Sequence, residues 1–373
     1  MLQIAVFGDS KWSLLMKEIL EHEYSDMVIA NGGEGLVVDC LVETQNNENC
    51  ISISQFAQKY SQGELAAIII PKEYYIHQNS IVLSLLRNGV DVDCIYSGLR
   101  LNDSIRTNPQ TVAGLIVPIL EDPYLPYLEF HVADHCNLNC KYCTHYSPLV
   151  KEAVFADYDT FEKDINQLKK YIYDIGIIRI LGGEPLLNPE LPRFIRLVRK
   201  LYPAAIIDVV TNGLLVEKIN DELIDTMKEN VAFFHISLYK PMEERAKDVK
   251  QFLYEKGIAY TISPLNEVFM KTQTLERQED EDFFYSCFQA TCTCLQDGKI
   301  APCYAPFTTK YFNDSFGKNL PVEEGVDLYG SEMHLSLLKA SLLIPMERCH
   351  YCINGDAEAW QVIGKNSRIE DWV

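Results

Sequence analysis

The sequence predicts an α/β protein in which parallel strands alternate with amphipathic helices, followed by a loop-rich C-terminal region. Short apolar strands and helical segments succeed one another from the first residues to about residue 265, where the alternation stops. In the helix near 159–174, Phe161, Ile165 and Leu168 recur with the period of one buried face. A chain of 373 residues also exceeds the length at which one core usually stops growing, so we expect several domains.

We assign residues 1–105 to a Rossmann-like domain with a parallel sheet. Its predicted strands are 3–8, 66–71 and 92–97, and its predicted helices lie near 11–23, 54–62 and 79–88. The turn after the first strand has one glycine, Gly8, where a dinucleotide-binding turn needs three, so we expect substrate presentation, docking or oligomerisation rather than NAD binding. Residues 106–126 contain four prolines and are predicted to be a linker with one short strand.

We assign residues 127–265 to a partial (β/α)6 barrel. Its predicted strands are 128–132, 177–181, 206–210, 231–238 and 258–262, and its helices lie near 159–174, 190–201, 217–229 and 241–256. Parallel repeats of this kind curl into full or partial barrels whose working face lies at the C-terminal ends of the strands. Residues 266–373 form the third predicted domain, in which the acidic run 276–282 indicates a solvated surface.

Net charge and hydropathy argue against two classes of protein, nucleic-acid binders and proteins with a membrane-spanning helix. The chain has 33 Lys and Arg against 53 Asp and Glu, a net charge of −20 that argues against a nucleic-acid binder. Its longest apolar runs fall far short of the roughly 20 residues that span a bilayer. Its N-terminal stretch reads as a strand and has no basic leader, so we expect a cytoplasmic protein.

Twelve cysteines in a chain expected to be in a reducing compartment indicate metal ligation or catalysis rather than disulfides. Cys40, Cys50 and Cys94 have no mutual spacing typical of a site, and we interpret them as buried small apolar residues. The other nine fall into two groups, Cys136, Cys140 and Cys143, and then Cys287, Cys292, Cys294, Cys303, Cys349 and Cys352.

The first group, Cys136, Cys140 and Cys143, directly follows a predicted strand. Three thiolates in a Cys-x3-Cys-x2-Cys loop can surround one inorganic centre and leave one position open for another ligand. A zinc site completed by a distant ligand is the alternative, because His135 and His145 flank the loop.

The second element is Gly182-Gly183-Glu184-Pro185 at the end of the next predicted strand. Its glycines allow backbone to approach a ligand closely, and Glu184 supplies an anion for a cationic amino group. Together with the cysteine loop and the aromatic Tyr142 before its last cysteine, this element resembles the radical SAM superfamily in order and spacing.

The resemblance implies a set of cofactor contacts. Cys136, Cys140 and Cys143 would hold a four-iron, four-sulfur cluster with an open iron site, which the methionine part of S-adenosylmethionine chelates. By the same resemblance, Gly182, Gly183 and Glu184 would hold that methionine, and Tyr142 would lie near the adenine. Asn212 and Ser237, at the ends of two later strands, would contact the ribose and carboxylate. Many members have Asp two residues after this serine, where this chain has Tyr239. For Asn212 the alternative is a helix cap in a strand-to-helix turn.

The C-terminal cysteines resemble the SPASM and twitch extensions, which bind auxiliary iron–sulfur clusters. The count favours the single-cluster twitch type, with Cys287, Cys303, Cys349 and Cys352 as the four ligands of a second four-iron, four-sulfur cluster. A structural zinc site on the same residues is the alternative. Cys292 and Cys294 are left over, and either could replace Cys287 as a ligand or act as a thiol that donates a hydrogen atom.

The resemblance therefore implies an enzyme that reductively cleaves S-adenosylmethionine, forms a 5′-deoxyadenosyl radical and abstracts a hydrogen from its substrate. We expect an oxidoreductase that dehydrogenates a hydroxylated small molecule such as a sugar, a sugar nucleotide or an aminocyclitol, with the auxiliary cluster as electron acceptor. A flavodoxin or ferredoxin is the expected electron donor.

Three alternatives remain at this point. These are an epimerase with a cysteine hydrogen donor, a peptide-modifying maturase, and an iron–sulfur electron carrier that does not cleave the cofactor. The sequence does not choose the substrate contacts or the general base among His145, Arg179, His235, Tyr239 and Lys240.

Overall fold

The computed structural model describes residues 2–8, 13, 36–43, 50–98, 116–364 and 367–373. The chain divides into two compact units, one of residues 1–126 with 335–340, and one of 127–334 with 341–373. The helix predicted near 11–23 lies outside the described residues except at residue 13, as does the first half of the predicted linker. The three predicted domains themselves stay a prediction.

In its described residues, the first unit has a six-stranded sheet and two α-helices whose bounds the structure gives. In chain order its elements are β1 Leu2–Phe7, β2 Leu36–Glu43, β3 Cys50–Ser52, α1 Ile53–Ser61, β4 Ala67–Pro71, α2 Gln78–Arg87, β5 Ile95–Gly98 and β6 Val117–Pro118. The strand order is β3-β2-β1-β4-β5-β6, parallel except for the β5–β6 pair. Strands β2 and β3 were not predicted. Helix α1 begins at a capping box in which Ser52 and Gln55 exchange hydrogen bonds.

The cysteines of this unit only partly fit the interpretation as buried apolar residues. Cys50 is buried. Cys94 is partly exposed, and its sulfur accepts a hydrogen bond of 3.3 Å from the Tyr60 hydroxyl. The side chain of Cys40 lies outside the described residues.

The second unit begins with the predicted strand and helix repeats. They are β7 Tyr124–Ala133, α3 Tyr158–Leu168, β8 Asp174–Gly182, α4 Leu191–Leu201, β9 Ile206–Thr211, α5 Asp221–Glu229, β10 Ala232–Ile236, α6 Lys240–Glu243, α7 Ala246–Lys256 and β11 Tyr260–Ile262. Helix α3 ends at Leu168, six residues before the predicted end, because β8 already begins at Asp174. The helix predicted near 241–256 is divided into α6 and α7.

The region after residue 265 adds short elements to the second unit. They are β12 Val268–Met270, α8 Asp282–Ser286, β13 Cys294–Gln296, β14 Lys299–Ala301, α9 Ala305–Phe316, β15 Val326–Asp327, α10 Leu335–Ser341, whose first six residues belong to the first unit, and β16 Ala357–Ala359. The main sheet has the order β11-β10-β9-β8-β7-β13-β14-β15. Strand β13 runs parallel to β7, with Cys294 opposite Glu129, and so extends the parallel series.

This architecture is the predicted partial-barrel type of α/β fold, with an open sheet. The pairs β8–β9, β9–β10 and β10–β11 are parallel. The carboxyl ends of these strands therefore meet at one edge of the sheet. In the part of the chain that the structure describes, no helix is long and apolar enough to cross a membrane.

Candidate active site and auxiliary cysteine site

A cavity of about 180 Å³ lies at the carboxyl ends of β8, β9 and β10. Seven of the predicted site residues line it: Cys136, Cys140, Cys143, Gly182, Gly183, Asn212 and Ser237. Tyr142 and Glu184 are not among its lining residues. The sequence pattern thus brings together residues from four separate segments, and we call this the cysteine-loop cavity.

The two glycines at the end of β8 fit a close backbone contact. A Cβ on Gly182 would lie 2.1 Å from the carbonyl oxygen of Ala133, and one on Gly183 would lie 2.3 Å from that of His135. Gly182 also has a φ of +136°, which an L side chain rarely adopts. The Gly183 N–H donates to the Ala133 carbonyl at 2.7 Å. These contacts hold the end of β8 against the segment that leads into the cysteine loop.

Glu184 lies behind the cavity, where its carboxylate is wholly buried. Oε1 accepts hydrogen bonds from the Thr211 hydroxyl at 2.7 Å and from the Leu186 N–H at 3.1 Å, and Oε2 accepts one from the Asn212 N–H at 3.0 Å. Burial raises the pKa of Glu184 to about 7 against these donors. In this structure the carboxylate orders the turn after β9. Its role as the anion for a cationic amino group stays a prediction.

Asn212 connects that turn to the cysteine loop. Its Nδ2 donates to the Asn137 side-chain oxygen at 2.6 Å, and its Oδ1 accepts from the Leu214 N–H at 3.0 Å. Nδ2 also lies 3.7 Å from the sulfur of Cys136. The residue therefore lines the cavity and orders its own turn. Asn220, and not Asn212, caps the following helix α5, so the helix-cap alternative is wrong. The contact of Asn212 with the cofactor stays a prediction.

The three loop sulfurs each meet at least one N–H donor. Cys136 accepts from the Leu138 N–H at 3.4 Å, and Cys140 accepts from the Trp360 indole at 3.2 Å. Burial raises the pKa of Cys143, and the nearby N–H groups of Ser147 and His145 oppose that effect. Burial raises the pKa of Cys136 and of Cys140 to about 12. Donors aimed at sulfurs favour thiolates, and a bound cationic centre would supply the remaining driving force for deprotonation. This donor set fits an iron–sulfur cluster.

Tyr142 bonds outside the lining of the cysteine-loop cavity. Its hydroxyl donates to Glu358 at 2.7 Å, and the ammonium of Lys141 pairs with the same carboxylate at 2.7 Å. The aromatic residues Tyr239 and Phe269 do line the cavity, and the ring of Tyr239 stacks on Trp360 with centroids 5.8 Å apart. Sequence reasoning placed Tyr142 near the adenine, and that role stays a prediction.

The C-terminal segment closes over the cysteine loop, which sequence reasoning missed. Cys140 forms a β-bridge with Val362, the Lys141 N–H donates to the Gln361 carbonyl, and the Ile363 N–H donates to that of Asn139. No periodicity or spacing links these segments across more than 200 residues. The indole of Trp360 is close to the cysteine loop in space but far from it in the chain, so no sequence pattern pointed to it.

Below the cavity lie three ionisable side chains on neighbouring strands, Arg179, Asp208 and Glu129, which we call the polar layer. Arg179 and Asp208, on β8 and β9, are register partners and form an ion pair of 2.8 Å. Residues two positions further along each strand, Leu181 and Val210, line the cavity, so the ion pair lies on the same face. Glu129 on β7 accepts a 2.6 Å hydrogen bond from the Tyr127 hydroxyl, and burial raises its pKa to about 7.

The remaining candidates for substrate contacts divide by position. His145 lines the cavity, and its Nδ1 lies 3.0 Å from Nε2 of His131, whose other ring nitrogen meets Asp134 at 2.9 Å. His235 lies 3.0 Å from the Thr261 hydroxyl. Lys240 is exposed and pairs with a neighbouring glutamate at the surface.

The four predicted auxiliary ligands lie near one another in the second unit. Burial and the neighbouring thiols of Cys349, Cys352 and Cys287 raise the pKa of Cys303. Burial and the neighbouring thiols of Cys352 and Cys287 raise the pKa of Cys349 to about 12. Among the residues that the structure describes, no group of three or more His, Cys, Asp or Glu side chains is arranged to hold a single metal ion. Their role as cluster ligands stays a prediction.

The two leftover cysteines differ in their surroundings. Cys294 is fully buried in β13 and packs with Ala301, Tyr304 and Phe307. Beyond the effect of burial, Glu129 raises the pKa of both thiols, and Cys294 lies opposite Glu129 in the β7–β13 pair. Cys292 is also near Arg179, which lowers its pKa.

Comparison with known proteins gives the family of the central region. The profile of the Radical SAM superfamily matches residues 131–259. A GTP 3′,8-cyclase of Clostridium botulinum (strain Okra) is 28% identical over 239 residues, which cover 59% of this chain and 66% of that protein. A probable GTP 3′,8-cyclase of Methanococcus aeolicus is 30% identical over 153 residues, 38% of this chain and 49% of that protein. The chain thus spans between about half and two thirds of these two curated relatives.

Solved structures give weaker likenesses. The structure of BtrN with AdoMet and 2-DOIA has a TM-score of 0.40 and 18% identity, over 62% of this chain and 94% of BtrN. The structure of anSMEcpe with AdoMet has a TM-score of 0.31 and 20% identity, over 38% of this chain and 43% of that one.

Proposed function

Residues 131–259 form a radical SAM domain, and from this premise we propose that the protein is a radical SAM oxidoreductase that dehydrogenates a hydroxylated small molecule. The observation that carries the proposal is the pairing of the cysteine-loop cavity with a second group of cysteines in the same unit. The first site fits a reaction that begins with a radical, and the second supplies a place for the electron that a dehydrogenation releases.

The residues that would hold the cofactors line the cavity. Cys136, Cys140 and Cys143 would bind the four-iron, four-sulfur cluster, and the backbone at Gly182 and Gly183 would lie along S-adenosylmethionine. When bound, these two groups supply a 5′-deoxyadenosyl radical that removes a hydrogen atom from the substrate. The chain itself binds, orients and shields the reactants.

The polar layer supports a hydroxylated substrate. Arg179 donates to Asp208, and the side-chain oxygens Oε1 of Glu129 and Oδ1 of Asp208 are buried without a hydrogen-bond partner in the described structure. Buried acceptors without partners are costly, and substrate hydroxyl or ammonium groups would satisfy them. A carbinol held here would lose a hydrogen atom to the 5′-deoxyadenosyl radical. It would then lose one electron to the auxiliary cluster and one proton to a base, and so become a carbonyl.

Cys292 favours a second candidate, epimerisation. Its thiol lies near Glu129 and Arg179. A thiol that returned a hydrogen atom to the substrate radical would invert the carbon without net oxidation. The names of the relatives favour a third candidate, cyclisation of a purine nucleotide such as GTP.

Anaerobic reconstitution, followed by assays with C-deuterated sugars and aminocyclitols and with GTP, tests the proposal. We expect about eight irons per chain, falling to about four when Cys136, Cys140 and Cys143 are changed to Ala. We also expect deuterium from the carbinol carbon in 5′-deoxyadenosine, and one carbonyl product for each 5′-deoxyadenosine formed.

The other outcomes separate the alternatives. An inverted product carrying solvent deuterium at the same carbon, lost in Cys292→Ala but kept in Cys294→Ala, would establish the epimerase. A cyclised product from GTP alone would establish the nucleotide reaction. If the protein holds both clusters and forms no 5′-deoxyadenosine with any substrate tested, the electron-carrier alternative is supported.

A further inference from the structure

We propose that Arg348 is the buried counter-charge of the auxiliary cluster and that it raises the cluster's reduction potential, so that the cluster accepts an electron readily. This inference rests on the proposed function, because it assumes that Cys287, Cys303, Cys349 and Cys352 hold a cluster. It assigns to Arg348 a positioning and tuning role, since the residue contacts a ligand of the cluster.

The burial of Arg348 is the first observation. The residue is 2% exposed and is among the largest fully buried side chains described in the chain. A guanidinium stays protonated in proteins, so a full positive charge lies inside the second unit. Removing such a charge from water costs several kcal/mol unless a negative group compensates it.

The partners of the guanidinium are the second observation. Nε donates to the Thr309 hydroxyl at 3.0 Å, and Nη2 donates to the Tyr146 hydroxyl at 3.1 Å and to Gln273 Oε1 at 2.8 Å. All three partners are neutral. Among the described residues no carboxylate forms an ion pair with this side chain. Carboxylates are nonetheless abundant, since the whole chain has 53 Asp and Glu against 33 Lys and Arg.

The remaining donor identifies the compensating group. Nη1 lies 3.4 Å from the sulfur of Cys352 and donates to it. Because the other partners are neutral, the negative charge that balances Arg348 belongs to the cysteine group that contains Cys352. Thiolates bound to a cluster carry this charge permanently, whereas a free thiol is mostly uncharged at neutral pH.

The charge has a direct consequence for electron transfer. One electron added to the cluster makes the cluster and its thiolates more negative, and a fixed cation in a low-dielectric site stabilises that reduced form. In the proposed reaction this electron comes from the substrate radical, whose proton leaves to a base. In a reconstituted protein without substrate, a one-electron chemical reductant supplies it.

Arg348 also reaches the first cysteine site. The Tyr146 hydroxyl accepts from Nη2, and the Tyr146 N–H donates to the Cys143 carbonyl at 3.0 Å. Tyr146 therefore contacts both Cys143 and Arg348, and Arg348 in turn donates to Cys352. Sequence reasoning missed Arg348, because only its position beside Cys349 distinguishes it from the other arginines.

The test is a potentiometric titration of the auxiliary cluster, followed by electron paramagnetic resonance. It uses the full chain with Cys136, Cys140 and Cys143 changed to Ala, so that one cluster remains. Arg348→Gln is expected to keep about four irons and to lower the equilibrium constant for reduction at least tenfold, which is about 59 mV for one electron. Arg348→Lys retains the charge and is expected to stay within threefold of the parent.

Arg277→Gln is the matched control. It removes the same formal charge from an exposed guanidinium, which pairs with Glu347 at 2.8 Å, next to Arg348 in the chain. We expect a change of less than threefold, since water screens this charge. An equal shift in Arg277→Gln and Arg348→Gln would overturn the assignment, as would an unchanged potential in a loaded Arg348→Gln.

Two further results keep the test decisive. Circular dichroism shows whether Arg348→Gln folds, and if it does not, Arg348→Lys is the test variant. A folded Arg348→Lys variant that holds its iron and whose equilibrium constant for reduction changes by more than tenfold contradicts the role of charge. If the parent itself holds no iron, the auxiliary cluster of the proposed function fails. An unchanged potential in a loaded variant contradicts only the role of Arg348.

Discussion

The indole N–H of Trp360 donates to the sulfur of Cys140 at 3.2 Å, so a residue near the C-terminus of the chain contacts a predicted ligand of the radical SAM cluster. The two residues are 220 positions apart. The β-bridge between Cys140 and Val362 holds the two segments together. The C-terminal segment is therefore part of the site.

Trp360→Phe is expected to weaken retention of this cluster. The change keeps a six-membered aromatic ring for stacking on Tyr239 and removes the N–H donor together with the five-membered ring of the indole. A hydrogen bond to a charged acceptor contributes about 1.5–3 kcal/mol, so we expect iron loss at a chelator concentration at least tenfold lower than for wild type. Iron release followed by absorbance, in protein with the four auxiliary cysteines changed to Ala, measures the effect.

Trp372→Phe is the control for this prediction. The Trp372 indole donates to the Ser367 hydroxyl at 2.7 Å and to no sulfur, so iron retention should stay near that of wild type. Equal iron loss in the two variants would show that general loosening of the C-terminal segment, and not the bond to Cys140, is responsible.

Glu184→Gln is expected to load both clusters and to bind S-adenosylmethionine at least tenfold more weakly. An amide has one acceptor atom where the carboxylate has two, and its NH2 would face a donor at Thr211 or Asn212. The mismatched hydrogen bonds therefore destabilise the turn that lines the cavity by about 1–3 kcal/mol. Equilibrium binding of the cofactor to the reconstituted protein measures the effect, with Glu190→Gln, a partly exposed carboxylate, as control. Unchanged cofactor cleavage and binding would contradict a role for Glu184.

The sequence predicted the residues of the cavity better than their individual orientations. Chain-local patterns, a cysteine loop after one strand and glycines after the next, were enough to place both at one sheet edge, because parallel strands end on the same side. The direction of Glu184 was not predictable, since it depends on two donors from one distant turn, Thr211 and Asn212, besides the nearby N–H of Leu186. The contacts of Trp360 and Arg348 depend on tertiary packing that leaves no period in the sequence.

Glu129→Gln is expected to stabilise the protein increasingly as the pH rises. Burial raises the pKa of Glu129 from 4.5 to about 7, so between these values the folded state holds a proton that the unfolded state has lost. The unfolding free energy of wild type therefore falls with rising pH across this window, by up to about 3 kcal/mol, and Gln removes that loss.

Denaturant unfolding at pH 5 and pH 8 measures this difference. Glu162→Gln, an exposed change on helix α3, is the control and should show the same small effect at both pH values. A difference between Glu129→Gln and wild type that is independent of pH would show that Glu129 is not neutral in the folded protein.

Cys287→Ala and Cys292→Ala are expected to separate the auxiliary ligand from the spare thiol. Cys287 interacts with Cys352 and Cys349, two other predicted ligands, whereas Cys292 interacts chiefly with Glu129 and Arg179 in the polar layer. We therefore expect Cys287→Ala to lose most of the about four auxiliary irons and Cys292→Ala to keep them. Iron and sulfide counts after anaerobic reconstitution decide between the two cysteines. If Cys292→Ala loses the iron instead, Cys292 is the fourth ligand, the barrel interior has no free thiol at this position, and the epimerase alternative loses its hydrogen donor.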